Sequence, residues 1–245
     1  APPPKKGSGA WVVAFAALAA LGWIGWKQMF PPSPVPKQSG AEILQPASVE
    51  TASTSPSPAA PPPATTTNPA EATKDRPFVN SLGMKFVPVP GTKVLFCIHE
   101  TRIRDYRTYA EQEAGVDTAW KRDQSQGVRI IQEPDHPVVL VSWQAAKNFC
   151  DWVSRNEKLV YRLPTDREWS VAAGIGAKED ASATPAALTG TSLDYPWGKN
   201  WPPPNGFANF ADDSATYRKS SDNISGYMDG FPYTAPVMSF APNNL

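Results

Sequence analysis

The chain has 245 residues, which is enough for one sizeable domain or two small ones. Lys+Arg and Asp+Glu balance at 23 each, so nothing in the charge indicates a nucleic acid or another highly charged partner. The two cysteines, Cys97 and Cys150, form no Cys-x-x-C pair and no Cys/His cluster, which argues against a structural zinc site. We interpret each as a small buried hydrophobic residue, and a mutual disulfide stays open if this region is exported.

The first 30 residues predict a membrane anchor. Residues 1–9 are polar and include two lysines, and we predict them to be a cytoplasmic tail. Residues 10–26 carry no charge, and with the residues up to 30 they approach the ~30 Å hydrocarbon core of a bilayer. Tryptophans stand at both ends, as at membrane interfaces. We therefore predict a transmembrane helix over residues 10–30, with the C-terminal part of this single-pass protein outside the cytoplasm. A cleavable signal peptide and a buried helix are the alternatives.

Residues 31–76 have a different composition, dominated by Pro, Ser, Thr and Ala. Such a segment cannot bury enough apolar surface to offset the entropy lost on ordering, so we predict a disordered, semi-extended linker. As a flexible coil it spans on the order of 40 Å. The linker is expected to hold the following domain away from the bilayer.

The folded domain is predicted to cover residues 77–245. Its first half contains short apolar runs separated by turn residues, and one stretch with apolar residues at helical spacing. Ser142 is placed to cap a helix whose apolar stripe begins at Trp143. In chain order, we predict a hairpin of strands over 85–89 and 93–98, a helix from 103 to 114, an irregular loop over 116–135, a buried strand over 138–141 and the helix that begins after residue 142.

The stretch that follows predicts a strand and a well-capped helix. Residues 159–163 are strand-like, and Pro164 ends that strand. Thr165 and Glu168 form a Thr-x-x-Glu capping box, and Gly174 is a suitable C-terminal stop. From residue 174 onward the sequence is rich in Gly, Pro, Asn, Asp and aromatic residues, with little regular structure predicted. So long an irregular segment is uncommon in a compact domain unless something such as a bound ion fixes it.

Several short motifs occur in a fixed order, and together they carry a family resemblance. They are NSLGMKFV at 80–87, HET at 99–101, HPVVLVSW at 136–143, FCDW at 149–152, RLPTDREW at 162–169, YPWG at 195–198, ANF at 208–210 and DGF at 229–231. This ordered set resembles the formylglycine-generating enzyme family, also called the sulfatase-modifying factor domain, over residues 78–245. The resemblance implies an α+β fold, an irregular loop-rich mixed domain related to C-type lectin folds.

The resemblance also implies a structural calcium ion in the irregular region. Hard oxygen donors that include backbone carbonyls suit calcium in a loop-built site. The implied ligands are the side chains of Asn209 and Asp229 and the backbone carbonyls of Phe210 and Phe231. Three nearby aspartates, at 212, 213 and 222, are not assigned as ligands. The alternative is that Asn209 and Asp229 only form Asx-turns.

Catalysis is implied only conditionally. Oxidising members of the family use two cysteines near the C-terminus to bind copper, and Cys97 and Cys150 do not occupy those positions. We therefore assign no catalytic residue, expect a fragment of the domain that is truncated at its C-terminus, and expect copper only if the remaining segment carries the cysteine pair. His99 and His136 are interpreted as structural, and Asn223-Ile-Ser225 matches a glycosylation sequon.

Two functional hypotheses follow. The first is an enzyme that oxidises a cysteine of a client polypeptide to formylglycine. The second is a non-catalytic, calcium-stabilised binding or sensory module on a stalk, such as the extracytoplasmic part of a receptor kinase. The expected partners are the membrane and either a client polypeptide or an extracellular ligand, with no nucleic acid.

Overall fold

The computed structural model describes residues 12–14, 65–125, 128–188, 195–213 and 223–243. In these parts the chain is a mixed α/β structure with long irregular connections, as the sequence predicts. The largest sheet has five strands in the order β2-β3-β4-β1-β7. These strands are β1 (Val12–Ala14), β2 (Phe78–Val79), β3 (Lys85–Pro88), β4 (Val94–Cys97) and β7 (Val160–Arg162).

The predicted hairpin of β3 and β4 is confirmed. The two strands pair antiparallel, with Phe86 opposite Cys97, and Gly91 in the connection has a φ of 84°, which glycine adopts without steric cost. All four residues of β4 are buried. Because side chains alternate along a strand, Leu95 and Cys97 pack into one core, and Val94 and Phe96 pack into a second core on the other face.

Two helices cover one face of the sheet. They are α1 (Ile103–Gln112) and α2 (Trp143–Glu157). Tyr106 and Tyr109 of α1 pack against Phe149 of α2, with ring centroids 5.7 Å apart in both pairs. Because buried aromatic rings dominate core energetics, this cluster holds the helix pair together and fixes it on the sheet. Ser142 caps α2 as predicted, and its Oγ accepts a hydrogen bond from the backbone N–H of Ala145 at 3.1 Å.

Three predictions for the first half of the domain are wrong. Residues 138–141 form no strand, because they run as irregular backbone in which Leu140 has a φ of 58°. The loop over 116–135 is partly regular, with a 3₁₀ turn at Ala119–Lys121 and a hairpin of β5 (Gln124–Ser125) and β6 (Val128–Arg129). Trp143 is 65% exposed, so the buried stripe of α2 begins at Phe149.

The N-terminal boundary of the folded part also differs from the prediction. The linker prediction runs to residue 76, but structured backbone already begins at Thr66. Its N–H donates to Pro77 O at 3.0 Å, and its carbonyl accepts from Val79 N at 2.9 Å. A 3₁₀ turn at Pro69–Glu71 follows, capped by the side chain of Asn68. Residues 31–64 of the predicted linker lie outside the described residues.

Of the predicted membrane span, the structure describes only Val12–Ala14, which form β1. This strand lies between β4 and β7 and pairs with both in parallel. Valines favour such extended backbone because their branched side chains fit a pleated sheet. Within the described ranges, no helix is both long enough and apolar enough to cross a bilayer. The rest of residues 10–30 lies outside those ranges, and the transmembrane helix stays a prediction.

A buried ion pair stabilises the N-terminus of α1. Arg102 and Asp105 have side chains only 7% and 1% exposed. The guanidinium donates from Nε to Asp105 Oδ2 and from Nη2 to Oδ1, both at 2.8 Å, and Arg102 N also donates to Oδ2 at 3.1 Å. This bidentate geometry compensates for the desolvation of both charges.

The capping box of α3 (Asp166–Ala172) is confirmed. Glu168 N donates to Thr165 Oγ1 at 3.2 Å, and Thr165 N donates to Glu168 Oε2 at 2.8 Å. The structure adds Arg162, whose guanidinium donates to both Glu168 oxygens at 2.7 and 2.6 Å. These hydrogen bonds, above all those from Arg162, lower the pKa of Glu168 to about 2. Glu168 thereby joins the end of β7 to the start of α3.

This pKa shift predicts a dependence of stability on pH. A carboxyl whose pKa is lowered by folding contributes its full stabilisation above its ordinary pKa of 4.5, and this stabilisation is lost as pH falls toward about 2. We expect Glu168→Gln to lower the free energy of unfolding at pH 7 by about 1–2 kcal/mol through the lost cap and partly exposed ion pair. We also expect it to flatten the pH dependence between those two values, as measured by urea unfolding. Glu100→Gln, at an exposed position, is the control, and an unchanged pH profile for Glu168→Gln would contradict the assignment.

Candidate functional site

The irregular C-terminal region is built around a cluster of aromatic rings. The rings of Tyr195 and Trp197 stack with centroids 4.7 Å apart, and Phe210 makes an edge contact with Trp197 at 5.8 Å. Phe210 also contacts Tyr227 at 5.7 Å. These contacts hold the loop around residue 210 against the loop around residue 227, which are the two segments that carry the predicted calcium ligands.

Asp229 joins those two loops through its carboxylate. Its Oδ2 accepts a hydrogen bond from Phe210 N, and its Oδ1 accepts one from Phe231 N, both at 2.8 Å. The second bond is an Asx-turn at Asp229; the printed hydrogen bond of the Asn209 side chain, to Tyr233 O, is not an Asx-turn. Three of the four predicted ligand residues are therefore connected through one side chain.

Asn209 and Asp212 complete the arrangement. The amide nitrogen of Asn209 donates to Tyr233 O at 2.6 Å, which leaves the Oδ1 atom of that amide as an acceptor. Asp212 is fully buried, and its Oδ2 accepts a hydrogen bond from Asp229 N at 2.8 Å. Asp212 is not among the ligands that the resemblance implies, and its position three residues after Asn209 is its one signal in the sequence. Asp222 lies outside the described residues.

The chemistry of this donor set fits calcium. The side chains of Asn209 and Asp229 and the carbonyls of Phe210 and Phe231 supply only hard oxygen atoms. Each oxygen of Asp229 accepts one backbone N–H, and a carboxylate has further lone pairs for a cation. Within the described residues there is no cluster of three or more His, Cys, Asp or Glu side chains suited to a metal.

The region is anchored to the rest of the domain by contacts far apart in sequence. His136 Nδ1 lies 2.8 Å from Thr234 Oγ1, and Val237 N donates to Asp135 O at 2.9 Å. The loop of residues 133–137 in turn accepts a hydrogen bond from Ile103 N at the start of α1. The candidate loops are thus linked to the helical layer.

A family model described as the sulfatase-modifying factor enzyme 1-like domain matches residues 63–245. The chain belongs to this family. The match covers the loops and the helical layer together, and it confirms the resemblance inferred from the ordered motifs. No solved structure matches the chain.

Named relatives of this sulfatase-modifying factor domain include active and inactive proteins. The chain is 31% identical over 125 residues to a formylglycine-generating enzyme of Thermomonospora curvata, covering 51% of this chain and 33% of that protein. It is 28% identical over 125 residues to an inactive Cα-formylglycine-generating enzyme 2 of Bos taurus, covering 51% of this chain and 33% of that protein. The matched region thus spans about a third of the length of these relatives.

A third relative has a different name. Over 58 residues the chain is 38% identical to the serine/threonine-protein kinase pkn1 of Chlamydia pneumoniae, covering 22% of this chain and 8% of the kinase. This match is short compared with the matches to the formylglycine-generating enzymes.

The two thiols of this domain lie in its core. Cys97 and Cys150 are both free, and both belong to the core cluster between the sheet and the helices. Burial raises the pKa of each thiol to about 12. Because the thiolate is the form that binds metals and attacks electrophiles, these two thiols fit neither a copper site nor a nucleophile.

The two histidines and the sequon have partners within the fold. His99 Nδ1 lies 2.7 Å from Glu100 O, and burial lowers its pKa. His136 bonds Thr234, as described above. The side-chain nitrogen of Asn223, which a glycan would occupy, donates to Asp212 O at 3.0 Å, so it already supports the candidate loops.

Proposed function

We propose that residues 77–245 form a calcium-stabilised, non-catalytic binding or sensory module of the sulfatase-modifying factor family. The observation that carries the proposal is the Asp229 carboxylate, which joins the two loops that hold the proposed calcium ligands. Cys97 and Cys150 are buried in the core with pKa values raised to about 12, so neither of these two thiols is suited to redox chemistry on a client. One relative, in Bos taurus, is named as inactive, which agrees with a non-catalytic use of such a domain.

Calcium is the proposed cofactor, and it acts on structure. It would be held by Asn209, Phe210, Asp229 and Phe231, and when bound it would supply positive charge between two loops that hydrogen bonds and ring contacts already join. The Asp229 carboxylate orients the backbone of both loops. The buried carboxylate of Asp212 fixes the backbone of Asp229. A lectin-like architecture is part of the same proposal.

The module is proposed to stand outside the membrane. The apolar residues 10–30 are the proposed anchor, and the Pro-rich segment that follows is the stalk. The match to a protein kinase supports the version in which the module is the extracytoplasmic part of a receptor kinase. Its ligand would then be an extracellular molecule or polypeptide.

The second candidate is a copper-dependent oxidase that converts a client cysteine to formylglycine. The relatives named formylglycine-generating enzyme favour it. It requires a copper-binding pair of thiols other than Cys97 and Cys150, which are packed inside the domain.

A conversion assay separates the two candidates. The natural protein that contains this domain is incubated with copper, air and a cysteine-containing client peptide, and the peptide is analysed by mass spectrometry. We expect no aldehyde product, and Cys97→Ser and Cys150→Ser to change only stability. Formation of the aldehyde would contradict the non-catalytic proposal and establish the oxidase. A known formylglycine-generating enzyme with the same peptide is the positive control.

A further inference from the structure

A polar cleft of about 380 Å³ lies between the C-terminal end of α1 and the exposed side of α2. No residue of the candidate calcium loops lines it, so it is separate from the site described above and does not depend on the proposed function. The lining residues that matter here are Tyr106, Tyr109, Glu113, Asp117, Asp151 and Arg155.

Two buried tyrosines, Tyr106 and Tyr109, line this cleft. Tyr106 and Tyr109 are only 2% and 5% exposed, and their rings pack in the aromatic core. Within the described residues, neither hydroxyl has a hydrogen-bond partner. In the described residues, the side-chain polar atoms that are both fully buried and unpartnered are Asn80 Nδ2 and Trp120 Nε1. The two tyrosine hydroxyls are not among them, so they keep some contact with solvent. Because these buried residues line the cleft, the cleft is where their hydroxyls meet solvent.

One carboxylate that lines the cleft has no cationic partner among the described residues. Glu113 Oε1 pairs with Arg155 Nη2 at 2.7 Å, and Asp151 Oδ2 pairs with Lys147 Nζ at 2.6 Å. Asp117 Oδ1 accepts only the backbone N–H of Ala119, at 2.7 Å, among the described residues. The paired groups cancel, so Asp117 sets the sign of the local charge.

The hydrogen-bonding groups that line the cleft also favour a ligand that donates hydrogen bonds. Both phenols are neutral at pH 7, because a phenol ordinarily has a pKa of about 10; burial raises the pKa of Tyr106 to about 12 and also raises that of Tyr109. Neutral phenols accept as well as donate, and the second oxygens of the lining carboxylates only accept. The one charged donor in the lining, Arg155, is already directed at Glu113. The cleft therefore offers many acceptors and little positive charge.

We propose that this cleft binds a primary ammonium group, either on a free amine or on a lysine side chain of a polypeptide. An ammonium has three donors and no acceptor, which complements two phenol oxygens and a carboxylate. Asp117 supplies the opposite charge, and the two tyrosine hydroxyls orient the group.

A titration with a matched pair of probes tests the proposal. The 245-residue chain is titrated at pH 7 with n-butylammonium and with n-butanol, and backbone amide signals are followed by NMR. We expect n-butylammonium to shift the signals of residues 106–117 and 142–155. We expect n-butanol to bind at least about tenfold more weakly, because it lacks the charge-assisted hydrogen bond. Equal shifts with both probes, or none with n-butylammonium, would overturn the proposal.

Variants and a peptide arm complete the experiment. We expect Asp117→Asn and Tyr109→Phe each to weaken n-butylammonium binding by about threefold to tenfold without loss of fold, and the exposed Asp75→Asn to leave binding unchanged. Unchanged binding in Asp117→Asn would contradict the assignment. Tighter binding of acetyl-Gly-Lys-Gly-amide than of n-butylammonium, with its norleucine analogue inert, identifies a polypeptide lysine as the source. The reverse order identifies a free amine.

Discussion

Replacing Asp105 by alanine is expected to destabilise the domain by about 3 kcal/mol, the low end of the cost of breaking a buried ion pair, because Asp135 Oδ1 still lies 3.9 Å from Arg102 Nη1. Arg102 then keeps a guanidinium that is only 7% exposed, without the carboxylate that accepts its Nε and Nη2 hydrogens. The same carboxylate accepts Arg102 N at the start of α1, so the first turn of that helix also loses a hydrogen bond. Urea unfolding of the variant and the parent chain measures the difference.

The control is an exposed ion pair of the same kind. Lys147 and Asp151 are four residues apart on α2, with side chains 46% and 47% exposed. Lys147→Met is expected to cost about 0.3–0.5 kcal/mol, since solvent already screens that pair. The double variant Arg102→Met/Asp105→Leu is expected to regain much of the stability lost in Asp105→Ala, because it removes both buried charges. If Asp105→Ala lowers the free energy of unfolding by less than Lys147→Met does, the buried pair contributes no net stability.

Removing calcium is expected to lower the melting temperature of the domain. An ion bound only to the folded state stabilises it by mass action, by about 2.7 kcal/mol when its concentration is a hundredfold above the dissociation constant. We therefore expect EGTA to lower the melting temperature, and excess calcium to restore it. Differential scanning calorimetry of the chain with and without each addition measures both shifts.

The ligand assignment is tested by the calcium-dependent part of that shift. Asp229→Asn is expected to destabilise the domain even without calcium, because Phe210 N and Phe231 N lose an ionised acceptor. It should also abolish the increase in melting temperature on adding calcium. Asp213→Asn is the matched control, because Asp213 accepts Gly226 N at 2.9 Å in the same region and is not an assigned ligand. If EGTA has no effect on the parent chain, the proposed calcium site is wrong.

Local sequence patterns determined the parts of this fold that depend on neighbouring residues. The Thr165–Glu168 capping box and the Ser142 cap were predictable, because each is formed by side chains and backbone within three residues of each other. The helix from Ile103 was predictable for a similar reason, since its buried residues recur at helical spacing. The family was predictable from the order of short motifs, and the match over residues 63–245 confirms it.

Only the tertiary structure decided which of these elements meet, because those contacts join residues far apart in the chain. Val138 and Val141 are apolar enough for a strand, yet the backbone between them is irregular, and Val138 N donates to Thr101 O, just ahead of α1, at 2.9 Å. Trp143 fits an apolar stripe by spacing, but in the described part of the chain its side chain is 65% exposed.

The candidate site divides in the same way. The ordered motifs directed attention to Asn209 and Asp229, whereas their connection through Phe210 N and the burial of Asp212 became visible only once the two loops were packed together. The polar cleft between α1 and α2 likewise has no sequence signature, because residues of both helices line it and it forms only when they pack together. The sequence therefore determined the local elements and the family, and long-range packing determined the sites.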